Sequence, residues 1–113
     1  MNSRNLMDDF FRAENARDWE AYAQFLADDV EWVVISPGRT KTITGKAAYL
    51  AAIQAAYAAE DVTFAVLRIE SDDSGRLVAT LLQSESGDLS LDVFDWSDGL
   101  IVREWEFLLG AQA

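Results

Sequence analysis

Residues 91–102 read LDVFDWSDGLIV, a pattern typical of two β-strands joined by a tight turn. The connecting segment is Ser97-Asp98-Gly99, whose glycine is free to adopt positive φ. A three-residue loop would pair Trp96 with Leu100, whereas a two-residue turn would pair Ser97 with Leu100. Because strand side chains alternate between the two faces of a sheet, this choice decides which residues share a face.

We predict the three-residue loop, which divides the hairpin into an acidic face and an apolar face. The acidic face then contains Asp92, Phe94, Trp96, Val102, Glu104, Glu106 and Leu108. The apolar face contains Leu91, Val93, Ile101, Arg103, Trp105, Phe107 and Leu109. With the two-residue turn, Glu104 and Glu106 would instead be solvent-facing sheet residues, and this alternative stays open.

The remaining chain predicts helices first and a meander of strands last. The first 28 residues have the spacing of two short helices, with Asp18 as the N-cap of the second. β-Branched and aromatic runs predict strands, and an alanine-rich run predicts a third helix. These segments are strands at Val30–Ser36, Thr40–Thr44, Val62–Ser71, Arg76–Ser86, Leu89–Ser97 and Leu100–Leu109, and a helix at Gly45–Glu60. This order predicts an α+β fold with helices on one face of an antiparallel sheet.

Composition excludes several classes of function. The chain has 113 residues, which predicts a single domain spanning 1–113. The net charge of −11 argues against a nucleic-acid partner and an anionic membrane surface. With no histidine and no cysteine, proton transfer must use carboxylates, tyrosine, lysine or water. The glycine spacing fits no nucleotide-binding loop, so we expect no cofactor. The N-terminus lacks a secretory pattern, and we expect a cytoplasmic protein.

Three segments together resemble a known superfamily. They are FLADDVEW at residues 25–32, Ile43-Thr44-Gly45 before the third helix, and the hairpin at 91–102. The chain resembles the nuclear transport factor 2-like superfamily, in particular its SnoaL-like and ketosteroid-isomerase-like branch. The resemblance implies a cone, in which a strongly curved, mixed or antiparallel sheet wraps three helices around a central pocket. Members include isomerases, epoxide hydrolases, polyketide cyclases, dehydratases and non-catalytic binding modules, so the fold does not settle the function.

The resemblance carries over only part of the family machinery. The oxyanion tyrosine of ketosteroid isomerases falls on Phe10, and their general-base aspartate falls on Val34. The side chains of Phe10 and Val34 have no ionisable or hydrogen-bonding group, so neither can take the role of the family residue. The protonated aspartate of those enzymes falls on Asp92, which is present. A pocket aspartate of limonene epoxide hydrolase falls on Glu106, but residues 80–83 contain no Arg-x-Asp pair.

The same alignment places the acidic face inside the cone. On that basis we assign Asp92 and Glu106 as candidate catalytic residues. Asp92 is expected to be partly protonated near neutral pH, because apolar neighbours and nearby acids both disfavour its charged form. The candidate ligand-binding residues are Trp32, Val34, Tyr57, Phe94, Trp96, Glu104 and Leu108. We expect no metal, since no loop spacing supports a cation site at the three acids.

Two functions remain open at this stage. One is the binding of a small apolar organic molecule, with an isomerase, cyclase or hydrolase step by carboxylate acid–base chemistry. The other is a non-catalytic ligand-binding or association module. A cavity of about 300 Å³ or more with an acid at its floor would favour the first, and a pocket plugged by aromatic side chains the second. The apolar face of the hairpin predicts a homodimer through the convex side of the sheet.

Overall fold

The computed structural model describes residues 3–60 and 62–111, which form three helices and one six-stranded sheet. The elements in chain order are α1 Ser3–Ala16, α2 Trp19–Ala23, β1 Leu26–Ser36, β2 Arg39–Thr44, α3 Lys46–Ala59, β3 Phe64–Ser71, β4 Leu77–Ser84, β5 Asp88–Ser97 and β6 Leu100–Ala111. The predicted α+β class and the predicted order of elements are confirmed.

The sheet is mixed and open, with strand order β2-β1-β6-β5-β4-β3. All neighbouring pairs are antiparallel except β1 and β6, which run parallel. Helix α3 packs on β1 and β2 and α1 packs on β3, while α2 packs against the other two helices. The predicted cone is therefore confirmed, and β1, β6 and β5 form its central wall.

Aromatic rings fill much of the space between the helices and the sheet. Phe10 of α1 stacks on Tyr22 of α2 with ring centroids 4.3 Å apart, and it meets Phe94 of β5 edge-on. Tyr49 of α3 lies over Trp32 of β1, with ring centroids 4.6 Å apart. All five of these side chains are nearly inaccessible to solvent. Burial of large aromatic surfaces is the main stabilising contribution such a core makes.

One predicted strand boundary is corrected by the long-range pairing. The strand predicted to begin at Val30 begins at Leu26, because Leu26 pairs with Ile101 of the parallel neighbour β6. In α3 the completely buried tyrosine is Tyr49. Asp18 does cap α2 as predicted, since its carboxylate accepts a hydrogen bond from the Ala21 amide.

The predicted three-residue loop of the last hairpin is wrong. Ser97 pairs with Leu100 across a two-residue turn, in which Asp98 and Gly99 have φ of 52° and 78°. Positive φ at both turn positions matches the twist that a tight hairpin requires.

A β-bulge after this turn nevertheless keeps the acids inside. Trp96 pairs with Ile101 and Asp95 pairs with Arg103, so Val102 is an extra residue with no partner in β5. The bulge shifts the alternation of β6 by one residue, so the side chains from Arg103 onward point to the face opposite the one that the turn alone would give them. Ile101, which was predicted to lie outside, is therefore completely buried, while Glu104 lies opposite Phe94 on the interior face.

Candidate active site in the cone interior

Three acids from two adjacent strands meet on the inner wall of the cone. Asp92 of β5 lies opposite Glu106 of β6, and Glu104 is two residues before Glu106 on the same face. One carboxylate oxygen from each of the three lies within 4.8 Å of the other two. Asp92 and Glu104 are each only 4% exposed, and Glu106 is partly buried. The strand register alone thus concentrates potential negative charge in an apolar interior.

Two of these acids have hydrogen-bond donors and one has an unpartnered oxygen. The Tyr49 hydroxyl donates to Glu104 Oε1, and the Trp32 indole N–H donates to Glu106 Oε1 over 3.2 Å. Asp92 Oδ1 is buried without a hydrogen-bond partner. A buried polar atom without a partner costs free energy, and a ligand atom that supplies the missing partner is one explanation for such an oxygen.

A fourth acid enters the cluster from α1. Glu14 is partly buried, and its Oε2 accepts a hydrogen bond of 2.5 Å from the Tyr57 hydroxyl of α3. Glu14 also interacts with the Tyr22 hydroxyl, the Arg17 guanidinium and the carboxylate of Glu106. The site therefore has acids on the sheet side and on the helix side of the same interior.

Burial raises the pKa of every acid in the cluster. Desolvation and then repulsion by Glu106 hold the pKa values of Asp92 and Glu104 well above their usual range. Desolvation raises the pKa of Glu106 to about 6, against the opposing hydrogen bond from Trp32. Desolvation likewise raises the pKa of Glu14 to about 7, with Tyr57 opposing and Glu106 reinforcing the shift. Burial therefore favours the neutral forms of Asp92 and Glu104, while Glu106, with a pKa of about 6, is mostly ionised at neutral pH.

This arrangement combines a neutral acid with a neighbouring carboxylate base. A neutral carboxylic acid donates a hydrogen bond to an oxygen on which negative charge develops, and a carboxylate with a pKa near 6 accepts a proton near neutral pH. Ionised together, Asp92, Glu104 and Glu106 also have the oxygen spacing of a hard-cation site. Protons compete with any such cation, because burial raises the pKa of Asp92 and of Glu104 and so favours their neutral forms.

The other candidate ligand-binding residues are spread along the cone. Val34 pairs with Glu106 and is partly exposed beside it, while Phe94 is completely buried beside Asp92. Leu108, predicted to lie inside, is instead 42% exposed, since it is near the open end of β6. The Tyr57 hydroxyl donates a hydrogen bond to Glu14.

Trp96 lies near the hairpin turn, away from the acids. Its indole nitrogen is buried without a hydrogen-bond partner. It lines a surface cavity of about 510 Å³ together with residues from two turns and α1, namely Leu6, Ser74, Gly75, Arg76, Asp98 and Gly99. A second cavity of about 320 Å³ lies between α1 and α2, lined by Asp9, Arg12, Ala13, Ala16, Asp18, Ala21 and Phe25. None of the four acids of the interior cluster lines either of these two cavities.

Sequence reasoning missed Glu14 and the tyrosine pair above the acids. Glu14 is four residues after Phe10 and seven after Met7, both of which are buried. A carboxylate at this helical spacing lies on the buried stripe of α1, and that signal was available in the sequence. The sequence could not show that the hydroxyls of Tyr22 and Tyr49 meet, because their 3.1 Å contact joins two separate helices.

Comparisons with known proteins agree with the fold. The SnoaL-like domain family matches residues 7–104. A Kribbella flavida protein assigned as a candidate ketosteroid isomerase is 29% identical, and its crystal structure matches with a TM-score of 0.81 over 98% of this chain and 80% of that one. No functionally curated protein matches the sequence.

Two more distant structures share the fold. SalBIII, an epoxide hydrolase/cyclase-like enzyme of pyran ring formation in the polyether salinomycin, is 18% identical, with a TM-score of 0.79 over 97% of this chain and 95% of its own. RV0760c of Mycobacterium tuberculosis, in complex with estradiol-17β-hemisuccinate, is 22% identical, with a TM-score of 0.74 over 92% and 91%.

The open cone, in which a mixed sheet packs with three helices, and its structural matches define a protein of the nuclear transport factor 2-like class. Within that class, the chain belongs to the SnoaL-like domain family, because the match covers most of its length. No helix in the described ranges is long and apolar enough to cross a bilayer.

Proposed function

We propose that this protein binds a small apolar organic molecule and performs acid–base chemistry on it with Asp92 and Glu106. The observation that carries the proposal is the buried, unpartnered Oδ1 of Asp92 beside a second carboxylate. Neutral Asp92 donates a hydrogen bond to a carbonyl, enolate or ether oxygen of the substrate. Glu106 takes the place of the missing base at Val34, its neighbour across the β1–β6 pair.

The open end of the cone supplies the approach to this pair. Glu106 and Val34 are the partly exposed members of the site, whereas Asp92 and Glu104 lie deeper. A substrate enters beside Val34 and reaches Asp92 once side chains at this end move aside. An apolar interior wall suits isomerisation, cyclisation or hydrolysis of a hydrophobic substrate, reactions that need only proton transfers.

The first test replaces Asp92 with Asn, which keeps the shape of the side chain and a donor but removes the titration. Apolar ketones, cyclic ethers and epoxides, with estradiol-17β-hemisuccinate as a steroid probe, are screened by shifts in melting temperature. We expect a shift for at least one compound, and a loss of turnover of about 100-fold or more in Asp92→Asn. Asp88→Asn, an exposed change on the same strand, is the matched control and should behave as the native protein.

The packing of the interior favours the second candidate function, a non-catalytic ligand-binding or association module. Aromatic side chains fill the interior beside Glu104: the Tyr49 hydroxyl donates to it, Tyr22 contacts Tyr49, and Phe94 lies opposite it on β5. Each of the three aromatic residues is at most 1% exposed. If no compound in the screen shifts the melting temperature, or if Asp92→Asn leaves turnover and its pH profile unchanged, the acid–base proposal fails and the module remains.

We also propose that the protein is a homodimer formed through the outer face of the sheet. Val93 faces Trp105 and Leu91 faces Phe107 across the β5–β6 pair, and the parallel neighbour β1 adds Val33 beside Trp105. These side chains remain partly exposed in the single chain, while Ile101 drops out of the predicted interface because it is buried. A second copy of the same apolar face is the occupant that buries this patch symmetrically.

A further inference from the structure

Two basic residues lie on the inner face of β2, the edge strand beside β1. Ile43 pairs with Trp32, which is 6% exposed and part of the aromatic interior, and Lys41 pairs with Val34. Because side chains alternate between the two faces of a strand, Lys41 and Arg39 share the inner face with Ile43. The edge strand therefore adds positive charge to the face of the sheet that holds the acidic cluster.

Lys41 lies in one row with the two candidate catalytic acids. Val34 pairs with Lys41 on one side and with Glu106 on the other, and Glu106 pairs with Asp92. The row thus crosses four neighbouring strands, β2, β1, β6 and β5. Neighbouring strands are about 4.8 Å apart, so the row measures about 14 Å along the sheet from Lys41 to Asp92. A ligand that lies along this row has a cation at one end and a buried acid at the other.

Lys41 and Arg39, the rim cations, are at the open end of the cone. Along the inner face of β6 the exposed fraction rises from 4% at Glu104 to 42% at Leu108. Along β2, Ile43 is partly buried, whereas the two rim cations are exposed. A charged group bound at the rim cations therefore keeps part of its hydration, while the rest of the ligand lies in the interior.

The rim cations form no ion pair with any other residue that the structure describes. The other two basic residues of the strands are paired, Arg68 with Glu70 at 3.2 Å and Arg103 with Glu31 at 3.5 Å. Acidic partners are abundant, since the chain has 20 acidic residues against 9 basic ones. Two neighbouring cations without an acid leave a place for an anion from outside the chain.

We propose that Lys41 is a specificity residue of the acid–base site, which together with Arg39 binds the carboxylate of an apolar organic monocarboxylate. The apolar body of this ligand covers Val34, and its far end reaches Asp92. The inference deepens the proposed function and rests on it, because Asp92 is the contact of the far end. Lysine and arginine bind carboxylates through charge-assisted hydrogen bonds, which a neutral ligand of the same shape does not form.

The acids of the interior determine the orientation of such a ligand. Glu106 lies two strands from Lys41 and is mostly ionised at neutral pH, so it repels a second carboxylate placed beside it. The carboxylate of the ligand therefore lies at the rim cations, and an uncharged oxygen lies at Asp92. This orientation leaves the reacting end of the ligand in the buried part of the site.

The experiment compares two probes that differ in one charge, estradiol-17β-hemisuccinate and its methyl ester. Equilibrium dialysis gives the dissociation constant of each probe, and the ratio of the ester value to the acid value reports the contribution of the carboxylate. We expect Lys41→Gln to lower this ratio by about threefold or more, as loss of a partly exposed ion pair does. Added salt should lower the native ratio, because it screens the same attraction.

Arg68→Gln is the matched control. It removes one positive charge from an exposed position of β3, the edge strand at the opposite side of the sheet, so the net charge changes equally in the two variants. We expect its ratio to stay at the native value. Equal decreases in Lys41→Gln and Arg68→Gln would overturn the proposal, because the effect would then follow net charge rather than position.

A native ratio in Lys41→Gln would also overturn the proposal, as would a native protein that does not bind the acid. Asp92→Asn separates this inference from the proposed function. A Lys41 effect that persists while Asp92→Asn leaves turnover unchanged supports the rim cations and refutes the acid–base chemistry. Loss of turnover in Asp92→Asn without any Lys41 effect gives the opposite result.

Discussion

At the scale of the residue, Glu14 occupies a helix position where an apolar side chain is the usual occupant. Its neighbours on the same stripe of α1, Met7 and Phe10, are almost completely buried. The acid is tolerated because Tyr57 donates to it and Tyr22 faces it. The cost appears as a raised pKa, since desolvation penalises the charged form more than the neutral one.

The raised pKa values predict a stability that falls as the pH rises. From an ordinary value of 4.5, the pKa increases to about 7 for Glu14 and to about 6 for Glu106 in the folded protein. Between the two values the folded state binds more protons than the unfolded state, so the free energy of unfolding decreases through this window and levels off above it. Chemical denaturation at a series of pH values measures this slope.

Glu14→Gln should flatten this slope. Glutamine keeps the acceptor for Tyr57 but does not ionise, so the variant should exceed the native protein in stability at pH 8 by about 1 to 2 kcal/mol, allowing for partial exposure. Glu85→Gln is the control with the opposite sign. Hydrogen bonds from Thr63 lower the pKa of Glu85, so its removal should reduce stability above pH 4.5. A native slope in Glu14→Gln would contradict the assignment of Glu14.

At the scale of the element, a single extra residue decides what the interior contains. The turn at Asp98 and Gly99 alone would direct Glu104 outward. The bulge at Val102 reverses the alternation, so Glu104 and Glu106 share the face of Asp92. The bulge therefore creates the acidic cluster, while the turn determines only where the hairpin reverses.

Deletion of Val102 should destroy the cooperative fold. Without the extra residue, Arg103 and Trp105 would turn inward and the acids would turn outward, which places a charged guanidinium in the aromatic core. We expect loss of the thermal transition followed by near-ultraviolet circular dichroism. Val102→Ala keeps the chain length and the bulge, and it should cost about 1.5 kcal/mol or less. A native transition in the deletion variant would show that the bulge does not determine the register.

At the scale of the whole molecule, the net charge opposes the association of two chains, whereas the apolar outer face of the sheet favours it. Each chain has a net charge of −11, so two copies repel each other. The outer face of β5 and β6 presents Leu91, Val93, Trp105 and Phe107, which favour association. Salt screens the repulsion and leaves the apolar contact, so association should strengthen as the ionic strength rises.

Trp105→Glu should convert the proposed dimer to a monomer. It places a carboxylate on each protomer in the centre of the proposed interface, where desolvation and like-charge repulsion both oppose association. Sedimentation velocity at micromolar concentration in low and high salt measures the change. Leu67→Glu is the control, because Leu67 is exposed on β3 at the far edge of the sheet. A native protein that sediments only as a monomer at high salt would contradict the dimer.

Local patterns in the sequence determine the order of the elements and the class of fold. Hydrophobic periodicity and turn residues act over a few positions, so the helices and the strands were predictable with small errors at their ends. The absence of histidine and cysteine restricts proton chemistry to carboxylates, tyrosine, lysine and water. Asp92 was recognisable as an acid in an apolar strand because its immediate neighbours define that environment.

The tertiary structure decided how the acids are connected and what surrounds them. Tyr49 reaches Glu104 across 55 positions of sequence, and Trp32 reaches Glu106 across 74. Such contacts depend on the parallel pairing of β1 with β6 and on helix packing, which no local pattern encodes. The interior placement of Glu104 likewise depends on one unpaired residue, Val102. A period-2 pattern determines which residues share a face, but only the long-range pairing determines which face is buried.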